Sequence, residues 1–155
     1  MKRVWLLTLA LVWSGFAAGA EFDAVIPMWT KGAATYYVGG EIEGLGPVEF
    51  MVDTGSGYLA IGQKTLEALQ AKGEARYVRD LTGVMADGSH RVVPVYRLSK
   101  VVIGRSCVLY DVEAAVFPGL SRNILGLSAL KQASPFVFSV EPPRLVLSHC
   151  GDVQV

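Results

Sequence analysis

The sequence predicts an all-β domain carrying two short helices. The chain is rich in turn formers, with 17 Gly and 7 Pro in 155 residues, and its many Val, Leu and Tyr suit strands joined by tight turns. Its apolar runs are short and bounded by Gly, Pro or Asp, and only two segments read as helix. No repeat, low-complexity tract or linker divides the chain, so residues 21–155 are expected to form one domain.

The N-terminus reads as a cleavable secretory signal over residues 1–20. Lys2 and Arg3 precede an apolar run over residues 4–18, and small residues follow at Ala18 and Ala20. The alternative is an uncleaved anchor. A membrane span needs about twenty apolar residues, whereas this run is short and interrupted by Thr8, Ser14 and Gly15. No later segment is long and apolar enough to span a bilayer. The expectation is therefore an exported, periplasmic protein, secreted or membrane-anchored instead if the signal is retained. Without residues 1–20, 12 basic residues face 14 acidic ones. That balance provides no electrostatic footprint for nucleic acid.

Along the domain, a lead containing Pro27 and Trp29 runs into a strand over residues 35–42. Gly44-Leu45-Gly46-Pro47 turns the chain, and residues 48–52 form the strand that delivers Asp53. Another apolar stretch, 58–61, returns. Residues 63–72 are the clearest helix, with Leu66 and Leu69 on one face and Gly73 placed to stop it. A hairpin follows, with arms 81–85 and 91–95. Its turn, Ala86-Asp87-Gly88-Ser89, reads as a tight two-residue Asp-Gly turn. Residues 101–103 and 108–116 pair across Gly104-Arg105-Ser106. Asn123-Ile124-Leu125-Gly126 is expected to open the second helix, over 127–133, and strands 136–140 and 144–147 meet through Glu141-Pro142-Pro143.

The chemistry concentrates where the strand ending Phe50-Met51-Val52 enters Asp53-Thr54-Gly55-Ser56-Gly57. An apolar strand running into an Asp-Thr-Gly turn is how aspartic proteases present a water-activating carboxylate. A surface Asp-Gly turn would leave the flanking apolar residues unexplained. Such a site needs two carboxylates sharing a proton, and the motif occurs once, so two chains must build one site. The residues thus point to peptide hydrolysis by a homodimer.

Other arrangements carry less. His90 and His149 have no nucleophile in a recognisable motif beside them. Gly126-Leu127-Ser128 lacks the final glycine of a nucleophile elbow. Asp80, Asp87 and Asp111 read as turn or solvated residues. Cys107 and Cys150 are the only cysteines; an internal disulfide is expected, with a bond between chains or free thiols as alternatives. Two cysteines and two distant histidines make no ligand cluster, so neither metal nor cofactor is expected.

Over roughly residues 35–147 the order of parts resembles the retropepsin-like aspartic proteases, particularly their exported bacterial branch. The resemblance rests on Val52-Asp53-Thr54-Gly55-Ser56, on the hairpin tip Met85-Ala86-Asp87-Gly88, and on Ile124-Leu125-Gly126-Leu127-Ser128 before a short helix. It implies a closed β-barrel with two short helices, one lobe per chain. It also implies that Asp53 pairs with the partner chain's Asp53, that Thr54 hydrogen-bonds across the dimer, and that Gly55 lets backbone approach the carboxylate. Ser56 would donate its hydroxyl to Asp53. Met85, Ala86, Asp87 and Gly88 would form a flap over a peptide or protein substrate, and Ile124, Leu125 and Gly126 would pack beneath the active-site loop. The rival function class is an exported, monomeric protease-like module that binds peptides or a partner protein without cleaving them, with Asp53 as a turn residue.

Overall fold

The computed structural model describes residues 22–32 and 34–151; the expected signal over residues 1–20 lies outside the described residues. The first hairpin is β3 (Tyr36–Ile42) with β4 (Gly46–Val52), in a register that places Tyr37 opposite Met51. β5 (Leu59–Gly62) returns and leads directly into α1 (Gln63–Gln70), whose Leu66 and Leu69 are buried. The long hairpin β6 (Ala75–Val84) and β7 (His90–Ile103) follows, then β8 (Cys107–Phe117).

Asn123-Ile124-Leu125 does not open a helix. These residues form a strand, β9 (Asn123–Leu125), parallel to β4 with Phe50↔Asn123, Met51↔Ile124 and Val52↔Leu125. A short apolar run has no periodicity of its own to choose helix or strand, and pairing with β4 decides it. Only one helical turn follows, α2 (Leu127–Leu130), shorter than the expected 127–133.

The barrel closes through β7. Residues 90–98 of this strand pair with β6, whereas Val101, Val102 and Ile103 pair with Ile42, Glu41 and Gly40 of β3. The hydrogen-bonded ring is therefore β3-β4-β9-β5-β8-β7 and back to β3, six strands. Closure leaves the ring without free edges and turns alternate side chains inward. Phe50, Leu59, Ile61, Leu98, Ile103 and Leu125 are fully buried there.

The lead contains two strands, β1 (Ala24–Pro27) and β2 (Trp29–Thr30). β1 finds its partner at the far end of the chain: with β10 (Val137–Val140) and β11 (Pro143–Leu147) it makes a second sheet ordered β1-β11-β10. Cys107 and Cys150 are disulfide-bonded, their Cα atoms 4.6 Å apart, which ties the start of β8 to the residues after β11. The Asp23 carboxylate accepts the Cys150 N–H at 2.8 Å, closing the same corner from the N-terminal side. Among the described residues no helix is long and apolar enough to cross a membrane.

Candidate active site

β4 delivers Asp53 to the surface of the barrel beside β9. The Asp53 N–H donates to the Leu125 carbonyl at 3.1 Å, so the parallel pairing holds up to the residue that carries the carboxylate. Beyond it the chain turns tightly: Gly55 N–H donates to Asp53 Oδ1 at 2.9 Å, and Ser56 N–H to the Asp53 carbonyl at 3.2 Å. The first bond orients the carboxylate and the second closes the turn. Asp53 is half-buried, while Thr54 and Gly55 at the crest are exposed.

Gly126 supports this loop by close approach. A Cβ at that position would stand 2.1 Å from the Tyr58 carbonyl oxygen and 2.8 Å from that of Ser56, so only glycine fits. Leu127 N–H, the next along, donates to the Ser56 carbonyl at 2.8 Å. Leu125 is fully buried behind the loop. Ile124 differs from expectation: it faces the opposite way along β9 and lines the cleft with Asp53.

The Ser56 hydroxyl also departs from its expected role. It donates to the Tyr58 carbonyl at 2.9 Å, not to Asp53. An acceptor two residues on in the same turn satisfies a serine hydroxyl locally.

A cleft of about 570 Å³ opens above the carboxylate. Asp53, Gly55 and Ser56 form its floor, and Val84, Met85 and Ala86 reach it from the hairpin tip. Phe117, Pro118, Leu120 and Ile124 make an apolar side. Of the four expected flap residues, Met85 and Ala86 line the cleft, whereas Asp87 and Gly88 make the turn. That turn is a three-residue loop and not the two-residue form expected. Met85 N–H donates to Ser89 O at 2.8 Å, Gly88 N–H to Met85 O at 2.9 Å, and Gly88 alone takes the left-handed conformation, at φ +80°. A type I turn followed by a left-handed glycine is a standard hairpin solution. Val84, Phe117, Pro118 and Leu120 were not singled out in the sequence. The Phe117-Pro118-Gly119-Leu120 run, an apolar pair around a Pro-Gly turn, was the available signal.

A polar network joins the hairpin's base to the Asp53 loop. Arg79 on β6 holds Glu113 of β8 with both arms of its guanidinium, at 3.0 and 2.7 Å, and donates to the Tyr58 hydroxyl at 2.9 Å. Arg97 adds a longer contact to Glu113 at 3.4 Å. The Arg79 hydrogen bonds hold the Glu113 carboxyl below its ordinary range, despite partial desolvation, and the Arg79 guanidinium rises above its own. Ser128 on α2 accepts the Leu59 N–H at 2.7 Å and donates to the Glu113 carbonyl at 2.6 Å, linking β5 to β8 behind the loop. His90 and His149 are exposed. Among the described residues no three His, Cys, Asp or Glu side chains gather as a metal site.

The model of the family described as "gag-polyprotein putative aspartyl protease" matches residues 38–132. That span includes the Asp53 loop, the hairpin and β9. Among solved structures, a retropepsin-like aspartic protease from Rickettsia conorii matches with a TM-score of 0.59 at 22% identity, covering 84% of this chain and 92% of that one. No curated protein matches the chain.

Proposed function

Since the chain belongs to the gag-polyprotein aspartyl protease family and has a retropepsin-like fold, we propose that it is an aspartic endopeptidase in which two copies build one catalytic site. The observation that carries this reading is a single Asp53 on the floor of a cleft to which a hairpin contributes Met85 and Ala86. One carboxylate is half of the machinery, and a symmetric partner supplies the other.

Two facing Asp53 carboxylates repel when both are ionised, so the pair retains one proton between them. The ionised member draws a proton from a water held between the two, and the protonated member polarises the scissile carbonyl. Water then adds to the carbonyl carbon, and as the intermediate collapses the carboxyl that took the water's proton passes it to the leaving amine, restoring the singly protonated pair with no covalent bond to the enzyme. Gly55 keeps the approach to Asp53 open, and the exposed Thr54 is available to hydrogen-bond to the partner loop. Met85 and Ala86 cover the bound peptide, with Asp87 and Gly88 shaping the tip. The basic, apolar and small-residue order of residues 1–20 supports export, so periplasmic peptides or proteins are the proposed substrates.

The test is cleavage of a peptide library by purified protein beside Asp53→Asn. The variant should lose activity by about a thousandfold or more, the scale of losing an acid–base group, while keeping the wild-type fold by circular dichroism. A wild type that binds peptides, cleaves none and stays monomeric at every concentration and pH would favour the binding-module reading.

A further inference from the structure

We infer that Arg122 is a specificity-determining residue that selects a carboxylate side chain of the peptide close to the scissile bond; this rests on the protease reading above. Alternation along β4 sends Phe50 and Val52 into the core and brings Glu49 and Met51 to the other face, from which Asp53 emerges. The parallel register sets Ile124, which lines the cleft with Asp53, beside Met51, and the antiparallel register sets Tyr37 on the other side of Met51. Asp53, Ile124, Met51 and Tyr37 therefore belong to one face of the sheet, of which Asp53 and Ile124 line the cleft.

Arg122 reaches this surface from just before β9. Its Nη1 lies 3.4 Å from the Tyr37 hydroxyl and 3.7 Å from Met51 Sδ. Both anchors are neutral, and Tyr37 is only 7% exposed and so well fixed. They orient the guanidinium without cancelling its charge. Among the described residues Arg122 has no carboxylate partner: of the acids on the same face, Glu49 pairs with Lys31 at 2.6 Å and Asp53 accepts the Gly55 N–H at 2.9 Å. Among the described residues the Nε and Nη2 donors meet no acceptor, and the side chain is exposed. A guanidinium in that state pairs best with a carboxylate, through two parallel hydrogen bonds.

Arg122 stands outside the residues that line the cleft, and the distance from its Met51 contact to Asp53 along β4 defines the position read. Met51 precedes Asp53 by two residues, a rise of about 7 Å in extended chain. An extended peptide over this face would bring to Arg122 a side chain within about two residues of the bond being cut.

The experiment compares peptides that differ only by Glu, Gln or Lys, one position at a time, over the positions flanking the cleavage site. Wild type should favour Glu at one position by about tenfold in kcat/KM, the scale of a charge-assisted hydrogen bond at a partly exposed site, with the difference carried by KM and shrinking as salt is raised. Arg122→Gln should treat the Glu and Gln peptides alike, and Arg122→Glu should turn the preference toward Lys. No Glu preference at any position, or a preference that survives Arg122→Gln, overturns the inference. Equilibrium binding of the same peptides to Asp53→Asn, with and without Arg122→Gln, separates this result from the protease reading. Glu-selective binding that depends on Arg122 upholds carboxylate recognition even if wild type cleaves nothing, whereas unselective binding overturns it even if cleavage is robust.

Discussion

Gly126 lies under the Tyr58 carbonyl so closely that a Cβ would stand 2.1 Å from that oxygen. A side chain there must push away the segment that returns from Asp53. Gly126→Ala is expected to cost about 1–3 kcal/mol of stability, as overpacking against backbone does, and to reduce activity beyond what lost folded protein explains. Thermal melts and kcat/KM on the folded fraction would check it; a variant with wild-type melting and activity would show that the contact relaxes at no cost.

A shared site makes an inactive chain a poison. Mixing Asp53→Asn chains in excess with wild type should depress activity well beyond dilution, because mixed dimers carry one competent Asp53. Activity per chain should also rise with concentration where the dimer is weak. Subunit exchange is verified with differently tagged chains, and wild-type activity that survives demonstrated exchange would exclude the shared site.

Glu113 provides a pH test. Its carboxyl is held below the ordinary range, chiefly by Arg79, so the stability it adds is fully present above its unfolded value of 4.5 and disappears as pH falls through the lower folded value. Glu113→Gln should therefore lower Tm at pH 7, by about 3 °C for a bond worth up to about 1 kcal/mol at a partly exposed site. The gap from wild type should narrow in acid below about pH 4, following the unperturbed carboxylate range. Differential scanning fluorimetry from pH 3 to 8 would measure it, and a gap that stays constant with pH would remove the ion pair as its cause.

Tyr58→Phe removes the Arg79–Tyr58 hydrogen bond and leaves the Arg79–Glu113 pair in place. With the hairpin's base less firmly tied to the active-site loop, KM is expected to rise about threefold, the scale of one exposed hydrogen bond, with little change in Tm. Hydrogen exchange at residues 81–92 should quicken in parallel; unchanged exchange and KM would make the contact incidental.

The disulfide spans 43 residues. In the chain-entropy treatment a loop of that length is worth about 4 kcal/mol, so the double variant Cys107→Ala, Cys150→Ala should lose much of its stability. Chemical denaturation of oxidised, reduced and mutant protein would show the difference, and equal midpoints would mean that the C-terminal corner holds without the bond.

Much of the site was legible because its determinants are local. The strand ending at Val52, the turn at Asp53-Thr54-Gly55, α1 with its two buried leucines and the Gly88 turn each depend on neighbouring residues, so composition and spacing were enough to find them. The turn is one residue longer than its Asp-Gly pair suggests because Ala86-Asp87 and Asp87-Gly88 are both acceptable centres, and the Met85 to Ser89 pairing chooses between them.

Taken alone, the chain's sequence determined an all-β class, one carboxylate on a strand-ending turn, a hairpin turning at Asp87-Gly88, and two cysteines whose pairing it left open. Tertiary structure decided what depends on partners distant in sequence. Asn123–Leu125 became a strand because β4 offered it a parallel edge, and that pairing turned Ile124 from expected support into cleft wall. β1 acquired order from β11, and Cys107 found Cys150 across the same corner. Arg79 reached Glu113 across 34 residues, and Arg122 reached Tyr37 across 85. No local pattern encodes such contacts, because each requires the barrel to close before its two residues meet, and the entropy of closing those loops is offset by burial of the core and not by the contacts themselves.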